Sequence, residues 1–172
     1  MQYPSSVTMK QKTLPACAVD NKSKICYNTS MTTHYYFAYG MNTNNDEMRS
    51  RCPSATDLGR AELLNYKMVF KYYCDVVEQP GHDAPGVLWR LTDECLQALD
   101  LLEGYPVFYD RKYAQVRHGD VIVNALVYYM VDGSEPDMPP MRYYDTVLQG
   151  YNSHGISEKP LIDGLPDEAY TV

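Results

Sequence analysis

Apolar and aromatic positions gather into ordered blocks only after residue 33. Residues 1–33 are rich in Ser, Thr, Asn and Lys and keep neither a period of 2 nor one of 3.6, which is the pattern of a disordered arm. Met31 stands just before the first ordered-looking run, so the alternative is that the arm is a misassigned extension upstream of the native start. Residues 34–39 (HYYFAY) predict a strand that runs into a tight loop at Gly40. Asp46 is placed to cap a short helix through about Cys52, where Pro53 blocks continuation. Strands are expected at 61–64, 66–73 and 86–91.

The clearest helix follows. Thr92 is the expected N-cap, Asp93 and Glu94 occupy the first turn, Leu96, Leu99 and Leu102 supply an apolar face, and Gly104 is the expected terminating residue. Residues 108–117 and 121–131 flank His118-Gly119-Asp120 and read as a hairpin, whose second arm, VIVNALVYYMV, is apolar on both faces and so expected to be central and buried. Pro136, Pro139 and Pro140 mark an irregular crossing, after which Met141, Tyr144, Leu148 and Tyr151 fall at helical spacing on one face. Strands first, with a few helices laid on them and no regular βαβ alternation, predict an α+β fold with a small mixed, barrel-like curved sheet over residues 34–172.

Composition adds limits. A chain of 172 residues, 45% hydrophobic and 22% charged, suits one globular domain. No run of 18 apolar residues and no signal-peptide core is present, which makes cytoplasmic residence the expectation. The net charge of −7 divides into +3 over residues 1–33 and −10 over the rest. An acidic domain repels phosphate backbones, so the expected partner is a small molecule, with neither nucleic acid nor membrane. Five cysteines without a C-x-x-C pair and four histidines without H-x-x-x-H or H-x-H spacing indicate neither a disulfide framework nor a metal site. No G-x-S-x-G elbow anchors a serine nucleophile.

Two places carry candidate chemistry. In Tyr39-Gly40-Met41-Asn42 a strand ends in a glycine, and successive backbone N–H groups in such a loop suit a carboxylate or a developing oxyanion; taken alone, these residues read first as a plain strand-to-loop turn. Glu103 stands four residues after Leu99, directly before Gly104, on the flank of the apolar face. There it is either a solvated last-turn glutamate or a desolvated carboxylate whose pKa is raised by burial and by the negative end of the helix. Most of the 17 tyrosines read as packing; Tyr39 and Tyr128 are the two singled out for function.

The runs YYFAYGMN, GVLWRLTDECLQALDLLEGYPVFYDR and PPMRYYDTVLQGYNSHGI, in this order, resemble the gamma-glutamylcyclotransferase family, including its gamma-glutamylamine cyclotransferase and AIG2-like branches. The resemblance covers residues 34–172. It implies that Glu103 is the general acid/base and that Tyr39, Gly40, Met41 and Asn42 form the substrate cradle. It also implies a pocket-facing tyrosine at Tyr128, with Tyr129 as the alternative. The implied enzyme is a transferase of acyl groups, or cyclising amine lyase, that uses no cofactor and no metal and releases 5-oxoproline and a free amine or amino acid. Met41 departs from the family's usual serine, which leaves open a non-catalytic module that binds or sequesters a small ligand on the same fold.

Overall fold

The order of strands and helices follows the sequence pattern closely, and two long strands carry most of the architecture. The computed structural model describes residues 33–131 and 133–167; the arm expected over 1–33 lies, but for Thr33, outside them. Strand β1 (Thr33–Ala38) leads through a 3-10 turn (Met41–Thr43) to α1 (Asn45–Arg51). Strands β2 (Thr56–Lys71) and β3 (Tyr73–Thr92) follow, then α2 (Asp93–Glu103), β4 (Tyr109–His118), β5 (Val121–Met130), α3 (Met141–Ser153) and α4 (Lys159–Asp163).

The strands close into a barrel in the order β1-β3-β2-β4-β5. Every pairing is antiparallel except the closing one, where β1 meets β5 in parallel at Tyr36 and Leu126. This is the expected α+β fold with a mixed, barrel-like sheet. Phe37, Leu63, Phe70, Val87, Leu88, Leu91 and Val116 are among its fully buried side chains. Each aliphatic or aromatic side chain taken wholly out of water contributes about 1.5–3 kcal/mol. Among the described residues no helix is long and apolar enough to cross a membrane.

Several local expectations need correction. The strands expected at 61–64 and 66–73 merge, up to Lys71, into one strand, β2, because pairing to β3 resumes after a register shift at Asn65, which takes φ 63°; Tyr72 is the turn and Tyr73 already begins β3. Residues 86–91 are likewise only the end of β3. Asn44, not Asp46, caps α1: its side chain accepts from the backbone N–H of Asp46 at 3.0 Å and of Glu47 at 3.3 Å, leaving Asp46 in the first turn. The second hairpin arm is buried only from Ala125 to Tyr128, while Val121 and Ile122 reach past the barrel and are exposed. Of the face expected on α3, Tyr144, Leu148 and Tyr151 pack on the core and Met141 stands in solvent, while the buried residues of the helix are Val147, Gly150 and Tyr151. The reason is a close approach: a Cβ on Gly150 would lie 2.3 Å from Thr43 Oγ1, so the helix backbone itself rests on the 3-10 turn.

Helix α2 begins and ends as the sequence predicts. Thr92 accepts from the Cys95 N–H at 3.3 Å, and Gly104 takes the left-handed conformation (φ 64°, ψ 34°) that closes the helix. Its apolar face is narrower than expected. Cys95 and Leu99 are buried, whereas Leu102 is half exposed.

Candidate active site

Cys95 and Leu99 are four residues apart, and Glu103 is four further, so the three side chains share one stripe of α2 that faces inward. Glu103 takes the place of a third apolar residue on that stripe. Its carboxylate therefore enters a cavity of about 670 Å³ at the mouth of the barrel, which is also lined by Tyr36, Tyr39, Gly40, Met41, Asn42 and Tyr128. All six residues singled out in the sequence thus meet at one place.

The cradle loop is held from both sides. The Tyr39 hydroxyl donates to the Tyr128 carbonyl at 2.8 Å, and the Tyr151 hydroxyl donates to the Tyr39 carbonyl at 3.1 Å. A Cβ on Gly40 would stand 2.9 Å from the Tyr143 hydroxyl and 3.1 Å from Cys74 Cβ, so this glycine is required by close packing against β3 and α3. The 3-10 turn is closed by the N–H groups of Thr43, to Gly40 O at 2.9 Å, and of Asn44, to Met41 O at 3.0 Å. Those of Met41 and Asn42, in its first turn, do not take part in this closure.

Asn42 is the hub. Its Nδ2 donates to the Tyr36 hydroxyl at 2.9 Å and to Glu103 Oε1 at 3.2 Å, and its Oδ1 accepts from Arg51 Nη1. Arg51 Nη2 also donates to Glu47 at 2.8 Å and lies 2.9 Å from the Met41 sulfur. The side chain at the usual serine position is therefore in contact with the arginine. Burial pushes the Glu103 carboxyl up from its ordinary value, while the Arg51 charge and the Asn42 hydrogen bond pull it partly back. Burial likewise raises the Tyr36 and Tyr109 hydroxyls, with Glu103's negative charge adding to each, so both remain protonated donors at neutral pH.

Tyr128 and not Tyr129 lines the cavity; the Tyr129 hydroxyl donates to Asp110 at 3.1 Å. The Tyr128 hydroxyl donates to Asp100 at 2.6 Å, and Asp100 also pairs with Arg111 at 3.0 Å. This cluster ties the last turn of α2 to β4 and β5, and so holds the segment from which Glu103 projects. Its ring meets Tyr36 edge-on, with centroids 5.8 Å apart.

The sequence reading missed Arg51, Tyr36, Tyr109 and Tyr143 as cavity residues. For Arg51 the signal was faint: a cation one turn after Glu47 reads as an ordinary surface ion pair. Among the described residues no group of three or more His, Cys, Asp or Glu is placed to hold a metal.

A closed barrel of five strands, with a desolvated carboxylate hydrogen-bonded to a packed glycine loop at the edge of a ligand-sized cavity, defines a small α+β protein with a candidate small-molecule site. Residues 36–146 match the family model described as gamma-glutamyl cyclotransferase, AIG2-like, and the chain belongs to that family. It is 23% identical over 143 residues to a Mus musculus gamma-glutamylcyclotransferase, covering 74% of each chain. A Bos taurus gamma-glutamylcyclotransferase is 31% identical over 81 residues, which span 40% of this chain and 43% of the bovine one. A solved gamma-glutamyl cyclotransferase superposes with a TM-score of 0.71 at 22% identity, covering 82% of this chain and 92% of the other, and so shares the fold.

Proposed function

We propose that this protein is a cyclotransferase that releases 5-oxoproline and a free amine or amino acid from a small gamma-glutamyl compound, with Glu103 as general acid/base. One observation carries the reading. The Glu103 carboxylate is set into the cavity by the stripe Cys95, Leu99, Glu103, is hydrogen-bonded by Asn42 of the cradle loop, and is held above its ordinary pKa by burial. Family membership and the names of the curated relatives support the choice of substrate.

In such a substrate the alpha-amino nitrogen attacks the gamma-carbonyl carbon of its own molecule. A new C–N bond closes the five-membered ring, and the C–N bond to the departing amine breaks. The alpha-amino group is mainly protonated near neutral pH, so a base takes its proton before attack. Glu103 takes that proton and passes it to the leaving nitrogen; the second proton, shed by the ring nitrogen once the new C–N bond has formed, also ends on the departing amine, which leaves as an ammonium with Glu103 back in its starting state. A carboxyl with a raised pKa suits both steps. The tether between nucleophile and electrophile prepays most of the entropy, which leaves the protein to hold the glutamyl chain in its ring-closing geometry. The backbone N–H groups of Gly40, Met41 and Asn42 are the donors assigned to the tetrahedral oxyanion.

The test is 5-oxoproline release from a panel of gamma-glutamyl amino acids, gamma-glutamyl amines and glutathione, run beside Glu103→Gln. Release that collapses in the variant is the expected result. A folded variant at full rate would refute the role of Glu103. The second reading, a non-catalytic module that holds a gamma-glutamyl ligand in the same cavity, is favoured by Met41, whose sulfur is turned to Arg51. Calorimetric binding of the panel without 5-oxoproline release would establish it.

A further inference from the structure

The cavity extends well beyond Glu103 and the cradle loop, and its outer part has a different chemistry. On one side Leu102 and Phe108 form the rim, 50% and 73% exposed. The Phe108 ring covers Gly104, where a Cβ would lie 2.6 Å from the ring, so an apolar surface begins one residue away from Glu103. On the other side Tyr72 and Tyr73 stand at the turn between β2 and β3, 47% and 45% exposed. Tyr73 continues the wall inward: its ring lies 5.0 Å from Tyr72 and 5.0 Å from Tyr143, whose hydroxyl packs against Gly40. Two apolar walls thus start at the two halves of the site, one beside the carboxylate and one beside the cradle.

The charge of this outer part is compensated. Lys71 Nζ pairs with Asp75 Oδ2 at 2.8 Å, and Asp75 Oδ1 accepts from the backbone N–H groups of Val76 at 2.8 Å and Met130 at 2.9 Å. Asp75 is buried and accepts these three hydrogen bonds. The two charges offset each other, so the pair presents a ligand with neither a net positive site for a carboxylate nor a net negative site for an ammonium.

We propose that Phe108, Leu102, Tyr72 and Tyr73 determine leaving-group specificity, and that the preferred substrates are gamma-glutamyl amides of uncharged apolar amines, above all those carrying an aromatic ring. The proposal rests on the cyclotransferase reading. With the gamma-carbonyl between Glu103 and the cradle, the substituent on the departing nitrogen passes between Phe108 and Tyr73. There it covers apolar surface that water otherwise wets. Binding energy gained by this remote group is available to hold the reacting atoms in register, so the preference belongs in kcat/KM.

The experiment measures 5-oxoproline release from four substrates: gamma-glutamyl phenethylamide, gamma-glutamyl methylamide, gamma-glutamylglycine and Nε-(gamma-glutamyl)lysine. The phenethylamide is expected to exceed each of the others in kcat/KM by roughly tenfold or more, the scale of discrimination an apolar pocket gives. Phe108→Ala and, separately, Tyr73→Ala are expected to shrink the ratio of phenethylamide to methylamide several-fold. Circular dichroism of each variant excludes unfolding as the cause. Turnover in which the methylamide, glycine or lysine conjugate equals the phenethylamide overturns the specificity proposal and leaves the cyclotransferase reading standing. Silence from all four with folded protein overturns both.

Discussion

At the inner end of the cavity the polar side chains are tied to one another by hydrogen bonds, whereas the outer end is rimmed by exposed rings, of which Tyr73 meets Tyr72 edge-on and Tyr143 at a tilt. Asn42 joins Tyr36, Glu103 and Arg51 in one hydrogen-bonded group, and Arg51 reaches on to Glu47. Tyr72, Tyr73 and Phe108 have no comparable restraint and remain between 45% and 73% exposed. The difference is what a split task demands. Proton transfer needs a carboxylate held in place with its pKa adjusted, and recognition of a departing group needs apolar surface that can still be covered. A buried network is also costly to disturb, because each group left without its partner keeps its desolvation penalty.

Glu103→Gln should break this division most severely. Removal of the base is expected to lower 5-oxoproline release by roughly 10²–10⁴-fold, read by a coupled assay on protein whose fold is verified. The same variant has a signature in stability. A carboxyl with a raised folded pKa binds its proton more tightly when folded, so it destabilises the fold increasingly as pH rises above its ordinary value of 4.5. The Gln variant lacks this penalty. Its melting temperature relative to the parent should therefore improve from pH 4 to pH 8, and a relative loss over that interval would contradict the burial argument.

Gly40→Ala acts where the two regions meet, since the added Cβ would press on both the Tyr143 hydroxyl and Cys74. A cost of about 1–3 kcal/mol is expected from such overpacking, measured as a shift in the denaturant midpoint. Arg51→Met removes the charge that lowers the Glu103 carboxyl. The pKa should move further up, so the rising limb of kcat/KM against pH moves to higher pH. A limb that stays in place would remove Arg51 from the account of the base. Met41→Ser introduces the serine that the sequence resemblance implies at this position and frees the arginine from the sulfur. It is expected to change kcat/KM by less than about tenfold on a single substrate, because the assigned oxyanion donors are backbone groups common to both side chains.

The features read correctly along the chain were those with a local cause. Thr92 and Gly104 bound α2 through short-range hydrogen bonds and a left-handed glycine, and both can be read within a dozen residues. The hairpin around Gly119 is of the same kind. By contrast, Asn65 looks like the end of a strand, yet pairing to β3 carries β2 past it. The turn at Tyr72 has no glycine or proline to announce it and takes φ 68° where Lys71 and Tyr73 pair across it. Of the face expected on α3, Tyr144, Leu148 and Tyr151 do pack on the core; what the pattern omitted is Gly150, a residue that contributes no apolar signal but lets the helix rest on the cradle turn.

The candidate site divides along the same line. The order of motifs was enough to nominate Glu103 and the loop from Tyr39 to Asn42, and the helix period was enough to place Glu103 near the apolar face of α2. Nothing along the chain joins Asn42 to Glu103, which are 61 residues apart, or brings Arg51 over the loop. By itself the sequence determined the helix ends, the alternation of strands and helices, and the residues that carry the family pattern, because those rest on backbone preferences acting over a few positions. Only the tertiary structure decided which carboxylate is desolvated, which tyrosine faces the cavity and what forms its mouth, because desolvation and contact depend on closure of the barrel around them.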